Sequence, residues 1–391
     1  MSVLAKNDGI ITAIKEQDEK WRRRLLWLLL LLLLLSLCSV SALFARYIVQ
    51  PAPLPEILPL PIKMNYSPHY LFSIYGVEKP VGVALSPRGD RIYVAETGGE
   101  RMIKIFDRDG NPLGSLTPPR IGPGERSPVY LATDSAGRVF VTDRVQHAIF
   151  VYDSDGTYLD TVLSPDLTLS AYVSKHVGDV QTDIAFAYNV FEPYVYYKKS
   201  GEMDQTLPAP APAGWSPLGV RIDGTDNMLL TNVAGDLHAV YVTLDGSWQD
   251  STENMFGAHG QGNGQFSFPN AAVTDSRGRI HVTDSNNGRI SVWDEQGNFL
   301  SHFGQGAGSG ALSLPRGAAI DRRNRLHVVD TVGQSVKVYD VSGTKPHFLF
   351  AFGDWGLDDG QFNYPNDIAL DATSRLYIAD RENNRIQVWS Y

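Results

Sequence analysis

PNDIALDATSRLYIADRENNRIQVWSY, residues 365–391, carries the reading of the fold. It runs from a proline through a small, apolar strand to a turn at Asp371, and then into a strand ending at Asp380. A polar turn and a third strand ending in an aromatic follow. The same order recurs at Pro269 (PNAAVTDSRGRIHVTDSNNGRISVWDEQGNFLSHF), and looser copies open at Pro80, Pro128, Pro217 and Pro315. The copies start 48, 89, 52, 46 and 50 residues apart.

A period of about 40–50 residues holding three or four short β-type runs predicts propeller blades. The parts agree. Arg91–Ala95, Arg279–Thr283 and Arg375–Ala379 are rich in β-formers with alternating character. Asp275-Ser-Arg-Gly and Asp134-Ser-Ala-Gly read as tight turns, with glycine accepting positive φ and aspartate bonding nearby backbone. Two residues after each proline stand Gly82, Tyr130, Gly219, Ala271, Gly317 and Asp367. Four small residues there suit innermost strands converging on a crowded axis.

Ala379-Asp-Arg-Glu-Asn-Asn-Arg-Ile-Gln-Val-Trp resembles the second and third strands of the NHL repeat. The resemblance extends over Tyr70–Tyr391 apart from one insert, and is looser at Pro80 and Pro217, where Glu96 and Asn232 replace the usual Asp. It implies a closed propeller, commonly of six blades. The last copy ends after its third strand, while Tyr70-Leu-Phe-Ser-Ile-Tyr-Gly matches fourth-strand runs such as Phe348-Leu-Phe-Ala-Phe-Gly. The early strand is therefore expected to complete the last blade and remove exposed edges. The 89-residue interval reads as an insertion at about 164–213, lacking the proline and the Asp-x-x-Gly-Arg turn, rather than a degenerate seventh blade. The expected fold is all-β: a closed six-bladed propeller of four-stranded blades over residues 69–391, preceded by one transmembrane α-helix.

That helix is read from Leu25–Ala45, 21 residues without charge. At 1.5 Å rise per residue it spans roughly 31 Å, close to a hydrocarbon core. Lys20, Arg22, Arg23 and Arg24 precede it, so residues 1–24 are expected in the cytoplasm and the propeller outside it. A cleaved signal peptide fits less well, because 24 residues make a long leader. Residues 46–68 follow as a linker whose stretch Gln50–Lys63 holds five prolines and reads as an extended spacer.

Residues 1–63 carry a net +3 and the remainder −12, which makes nucleic acid a poor partner for the propeller. Cys38, the only cysteine, lies in the apolar run; it excludes an intrachain disulfide and cysteine-based chemistry in the rest. Gly260-Gln-Gly-Asn-Gly and Gly304-Gln-Gly-Ala-Gly lack the Lys-Ser/Thr of a phosphate loop and share an inter-blade position, so they read as turns. His281 and His327 occupy mid-strand positions filled elsewhere by Tyr93, Phe140 and Tyr377, which marks them as packing residues.

Peptidyl-hydroxyglycine amidating lyases share this repeat, and their zinc histidines directly follow the blade prolines. Here those positions are Val81, Val129, Leu218, Asn270, Arg316 and Asn366, with no imidazole among them. Lactone hydrolases on similar rings hold calcium with axial oxygens, for which Asn270, Asn366, Asp367, Asp284 and Asp380 are the available groups. The recurring Asp at the end of each second strand has the simpler role of bonding the following turn. No cofactor and no metal is assigned. The favoured reading is a non-catalytic, membrane-anchored scaffold that binds a protein or cell-envelope ligand on its loop face. The alternative is a metal-dependent hydrolase or lyase. Asn270, Arg316 and Asn366 are the expected contacts, with Asp284, Asp380 and Arg381 beside them.

Overall fold

The computed structural model describes residues 21, 23–42, 66–178, 184–199, 202, 204–211, 214–243 and 254–391. These divide into two units, Met1–Ile57 and Leu58–Tyr391. In the first, the helix Arg23–Ala42 has 20 residues and a mean hydropathy of 2.6 over its most apolar stretch, long and apolar enough to cross a membrane. It coincides with the expected span as far as Ala42. The rest of that span, most of the leading segment and the linker up to residue 65 lie outside the described residues.

The second unit is built from seven antiparallel sheets. Six of them open on a strand that begins at one of the six expected prolines: Pro80–Leu85, Pro128–Thr133, Pro217–Ile222, Pro269–Thr274, Pro315–Ile320 and Pro365–Leu370. Strands then follow in chain order outward from this first one, because tight turns of Asp and Gly join antiparallel neighbours directly. Burial falls along the same path. Pro128–Thr133 is buried almost throughout, whereas the fourth strands Pro112–Leu116 and Phe299–Phe303 are largely exposed or half-buried.

The first strands pack against one another in sequence, and Pro365–Leu370 packs against Pro80–Leu85, so the series returns on itself. The sixth sheet takes its fourth strand from the other end of the chain. His69–Ile74 pairs antiparallel with Arg385–Ser390, with Tyr70 opposite Trp389 and Ile74 opposite Ile386. This is the strand pairing expected from the sequence. Ile74, Val83, Tyr377 and Ile386 join one apolar cluster across the seam.

Three recurring bonds hold the sheets together. At the end of each second strand an acid or amide accepts the N–H of a residue just before that sheet's proline. The pairs are Glu78–Glu96 (3.1 Å), Ser127–Asp143 (2.8 Å), Ser216–Asn232 (2.8 Å), Ser267–Asp284 (2.6 Å), Leu314–Asp330 (2.8 Å) and Asn363–Asp380 (2.7 Å). Glu96 and Asn232, which break the sequence pattern, thus make the same bond. Next, each first strand is bulged after its proline. In three sheets a threonine hydroxyl from the second strand accepts the N–H stranded by the bulge: Thr142 from Tyr130, Thr231 from Gly219 and Thr283 from Ala271. Thr142 and Thr283 also donate to the carbonyls of Leu218 and Arg316 in the following sheet, at 2.7 and 2.6 Å. Finally, turn side chains reach the next sheet's entry. Asn384 accepts from Lys79 N–H (2.8 Å) and Gln334 from Tyr364 N–H (2.7 Å). Close approach at the axis needs glycine: a Cβ on Gly219 would overlap the Asn270 carbonyl oxygen, and one on Gly82 the Val129 carbonyl oxygen.

The 164–213 segment supplies the seventh sheet, with three strands among the described residues: Ile184–Ala187, Tyr194–Lys199 and Gln205–Pro208. With the helix Leu169–Val177, which Thr168 caps through Ala171 N–H, it encloses a small core of Leu169, Val173, Val195 and Tyr197. It docks through the buried Gln146, which accepts from Val190 N–H (2.8 Å) and donates to Asn189 Oδ1 (3.1 Å), and through Arg120 over the Tyr196 ring. Of the segment's tyrosines, Tyr194 is exposed, Tyr172, Tyr188 and Tyr196 are half-buried and Tyr197 is buried. Meanwhile the first strands of the second and third sheets pack directly on each other.

A chain starting at Val77 lacks the strand that pairs with Arg385–Ser390, and is expected to melt about 10 °C or more below one starting at Lys63. Calorimetry and dye binding to exposed apolar surface check this; equal melting temperatures and equal dye binding refute the seam.

Candidate functional site

The sequence reading takes Asn270, Arg316 and Asn366 as contacts on the loop face; with Val81, Val129 and Leu218 they are the six residues that follow the prolines. The structure buries five of them: Val81, Val129, Leu218, Asn270 and Asn366 are 1–9% exposed, and Arg316 alone is half-buried. The cause is Tyr130, which lies two residues past its proline where three other sheets have glycine. With that room the ring crosses the axis. Its hydroxyl donates to Asn270 Oδ1 (3.1 Å) and accepts from Asn366 Nδ2 (3.3 Å), tying the second sheet to the fourth and sixth. Burial, then the nearby Asp367 charge, push the Tyr130 hydroxyl well above the usual phenol range, so it stays protonated.

Asn270 Nδ2 donates to Ser285 Oγ and to the Phe268 carbonyl. Asn366 Nδ2 also bonds the Val81 carbonyl, doing across the seam the bridging that threonines do elsewhere, since Ala379 stands in the threonine's place. Arg316 Nη1 donates to Asn366 Oδ1 (3.0 Å), while its Nε has no hydrogen-bond partner among the described residues. The expected arc thus forms a connected network with one arginine at its outer side.

Beneath Tyr130 sits a second pair. Asp367 is fully buried; it accepts from Val83 N–H (3.1 Å) and is ion-paired with Arg221 from the opposite sheet. Burial raises the Asp367 carboxyl and Arg221 opposes that shift. Arg221 also donates from Nη1 to the Val220 carbonyl (3.0 Å) and from Nε to the Ala318 carbonyl (3.4 Å). Below this pair the axis opens into a cavity of about 340 Å³ at the far ends of the first strands.

Sequence reasoning left Arg221 out of the candidate site, yet a signal for it exists. Four residues after the prolines stand Ala84, Ala132, Arg221, Val273, Ala319 and Ala369. One guanidinium among small and medium apolar side chains, like Tyr130 and Asp367 in the ring above, marks what fills the axis.

The other candidates serve local structure. Asp284 is fully buried, with Asn287 Nδ2 (2.8 Å) and Arg289 Nε (2.7 Å) on one oxygen. Asp380 repeats this with Asn383 (2.9 Å), Arg385 (2.8 Å) and Gln387 (2.9 Å). Both bond the following turn, as read from sequence, and in addition the segment before the proline. Arg381 is half-buried and paired with its neighbour Glu382. The two glycine-rich stretches are inter-sheet turns, and the carbonyls of Gly262 and Gln265 accept from Arg289 at 2.9 Å. His281 and His327 are buried in their strands. His327 donates from Nδ1 to the Arg325 carbonyl (3.1 Å) and accepts from Tyr391 OH (2.6 Å); burial lowers its pKa to about 4. Among the described residues no three His, Cys, Asp or Glu side chains gather as a metal site requires.

A β-propeller is the class of protein this arrangement defines. Residues 362–389 match the family model of the NHL repeat. The fold is similar to that of a gluconolactonase from Xanthomonas campestris, with a TM-score of 0.52 at 14% identity over 83% of this chain and 95% of that one. It is also similar to virginiamycin B lyase from Staphylococcus aureus, with a TM-score of 0.50 at 10% identity over 83% and 99%. Identities this low carry the architecture and not the chemistry.

Two outcomes are expected. Asp380→Ala strands Arg385 in the interior and costs about 3–5 kcal/mol in urea unfolding. An unchanged midpoint means the carboxylate is not structural. His327 has a lowered folded pKa, so the native state takes up its proton later than the unfolded chain as pH falls. Its contribution is whole above the unfolded value near 6.5 and is lost towards pH 4. His327→Phe is therefore expected to reduce the loss of stability between pH 7 and pH 4 by about 2–3 kcal/mol. Identical pH profiles refute this.

Proposed function

We propose that this protein is a membrane-anchored, extracytoplasmic, six-bladed propeller that binds a protein or cell-envelope ligand on the face where the first strands begin, without catalysing a reaction. The cyclic packing of six first strands supports the blade count, with the 164–213 segment as an insertion between the second and third blades. Lys20, Arg22, Arg23 and Arg24 before an apolar helix support a cytoplasmic N-terminus.

The observation that carries the binding reading is a set of exposed apolar side chains on that face. Trp355 (68%), Leu357 (69%) and Tyr364 (47%) lie in the segment entering Pro365, and Val332 (53%) lies in the adjoining turn. That turn is bonded to the same entry, Thr331 Oγ1 donating to the Pro365 carbonyl and Gln334 accepting from Tyr364 N–H. The side chains are thus displayed on fixed backbone rather than on loose loops. Water-exposed tryptophan and leucine held this way favour a covering partner. Arg316 is the polar complement, a guanidinium suited to a carboxylate or phosphate group, with Asn366 orienting it from within.

Protease added to intact cells, with any wall removed, is expected to digest the propeller while the N-terminal helix stays in the membrane fraction. Complete protection refutes the topology. Crosslinking in native membranes is expected to recover a partner whose yield falls at least about tenfold in a Trp355→Ala, Leu357→Ser, Arg316→Ala variant of unchanged melting temperature. Equal recovery refutes the face.

A further inference from the structure

We propose that the axial cavity on the other side of Tyr130 is a second, separate binding site, for a small neutral molecule that is mainly aliphatic and carries one hydrogen-bond acceptor. The two ends of the axis are independent surfaces, because Tyr130, Asn270, Asn366 and Asp367 fill the passage between them and are at most 3% exposed. Whatever enters the cavity meets Arg221 and not the network above it.

The walls are mainly aliphatic, with Thr133 and Thr274 among them. Val83, Leu131, Ile222, Val273, Ile320 and Ile368 contribute around the ring, and small residues four past the prolines leave the space of about 340 Å³. That lies at the lower end of the range for small-molecule sites. Arg221 is the polar anchor. Each of its terminal nitrogens carries two hydrogens and, among the described residues, bonds one acceptor, the Val220 carbonyl from Nη1 and Asp367 from Nη2. One hydrogen on each therefore remains for an occupant, and the side chain borders the cavity.

Charge selects a neutral head group. Asp367 already compensates the guanidinium, and Asp223 adds a carboxylate at the cavity wall. Asp223 is held in its own turn by Thr225 N–H and Oγ1 (2.8 and 2.7 Å) and by Asn227 N–H (3.0 Å). An anionic head would be desolvated beside two carboxylates and one guanidinium, whereas a ketone, ester or alcohol oxygen takes the two spare hydrogens without that cost.

The test uses the full chain in lipid nanodiscs with Cys38→Ser, which removes the only cysteine, and Ala319→Cys on the cavity wall. The rate of N-ethylmaleimide modification is measured with 2-octanone, with octanoate at pH 8 and with neither. Saturating 2-octanone is expected to slow modification at least tenfold, and octanoate no more than twofold. Val273→Trp, which fills the cavity and leaves Arg221–Asp367 intact, is expected to abolish protection. Ser115→Cys on an exposed outer strand is expected to react at one rate throughout. No slowing at position 319, or equal slowing at 115, overturns the site. Equal protection by octanoate overturns the neutral head group, and full protection in Arg221→Met overturns the arginine's part in holding it.

Discussion

The bond from the second-strand carboxylate or amide to the backbone just before each proline is the constraint on which the rest depends. A proline has no N–H to offer, and the residue before it is pushed towards extended backbone, so the entering chain has few ways to be fixed. A side-chain acceptor at the end of the neighbouring strand does it in all six sheets, whether the residue is Asp, Asn or Glu. In Asp143, Asp284, Asp330 and Asp380 the other oxygen is satisfied by a turn or by a basic side chain, such as Arg289, Lys337 or Arg385, whereas Glu96 takes Lys104 on the same oxygen and its Oε1 has no partner among the described residues. Such partners offset the cost of burying these carboxylates.

With the entries fixed, the first strands approach closely enough that the axis becomes a packing problem. Small residues in most sheets let the few large ones cross it. Tyr130 and Asp367 take the ring two past the prolines and Arg221 the ring four past. Between them they separate the loop mouth from the cavity. The seam between the sixth and first sheets lacks the threonine bridge, and Asn366 and Asp367 bond Val81 and Val83 in its place. Two of the residues first read as ligand contacts or oxygen donors are therefore part of the closure.

This division separates what the two faces offer. Where the first strands begin, Trp355, Leu357 and Tyr364 are exposed and Arg316 is half-buried, the surface proposed to meet a macromolecule. Where those strands end, a half-open cavity with mainly aliphatic walls borders one partly engaged guanidinium, the volume proposed to take a small molecule. Neither proposal requires the first strands to move.

The amino-acid sequence determined the periodic features by itself. Each proline marks the start of a first strand, each Asp-Gly turn joins neighbours, and the Tyr70–Gly76 run carries the pattern of the missing fourth strand. These are local properties, set by φ restriction, turn chemistry and alternation, and they survive being read one segment at a time. The fate of Asn270 and Asn366 was not legible in this way. Their neighbours in sequence say that they follow a proline, but only the tertiary structure brings Tyr130 from 140 and 236 residues away to bury them. Likewise Arg221 reads as one charge in a strand until Asp367, from 146 residues on, meets it across the axis. Side chains that converge on an axis from different sheets owe their environment to long-range packing, and no local pattern encodes it.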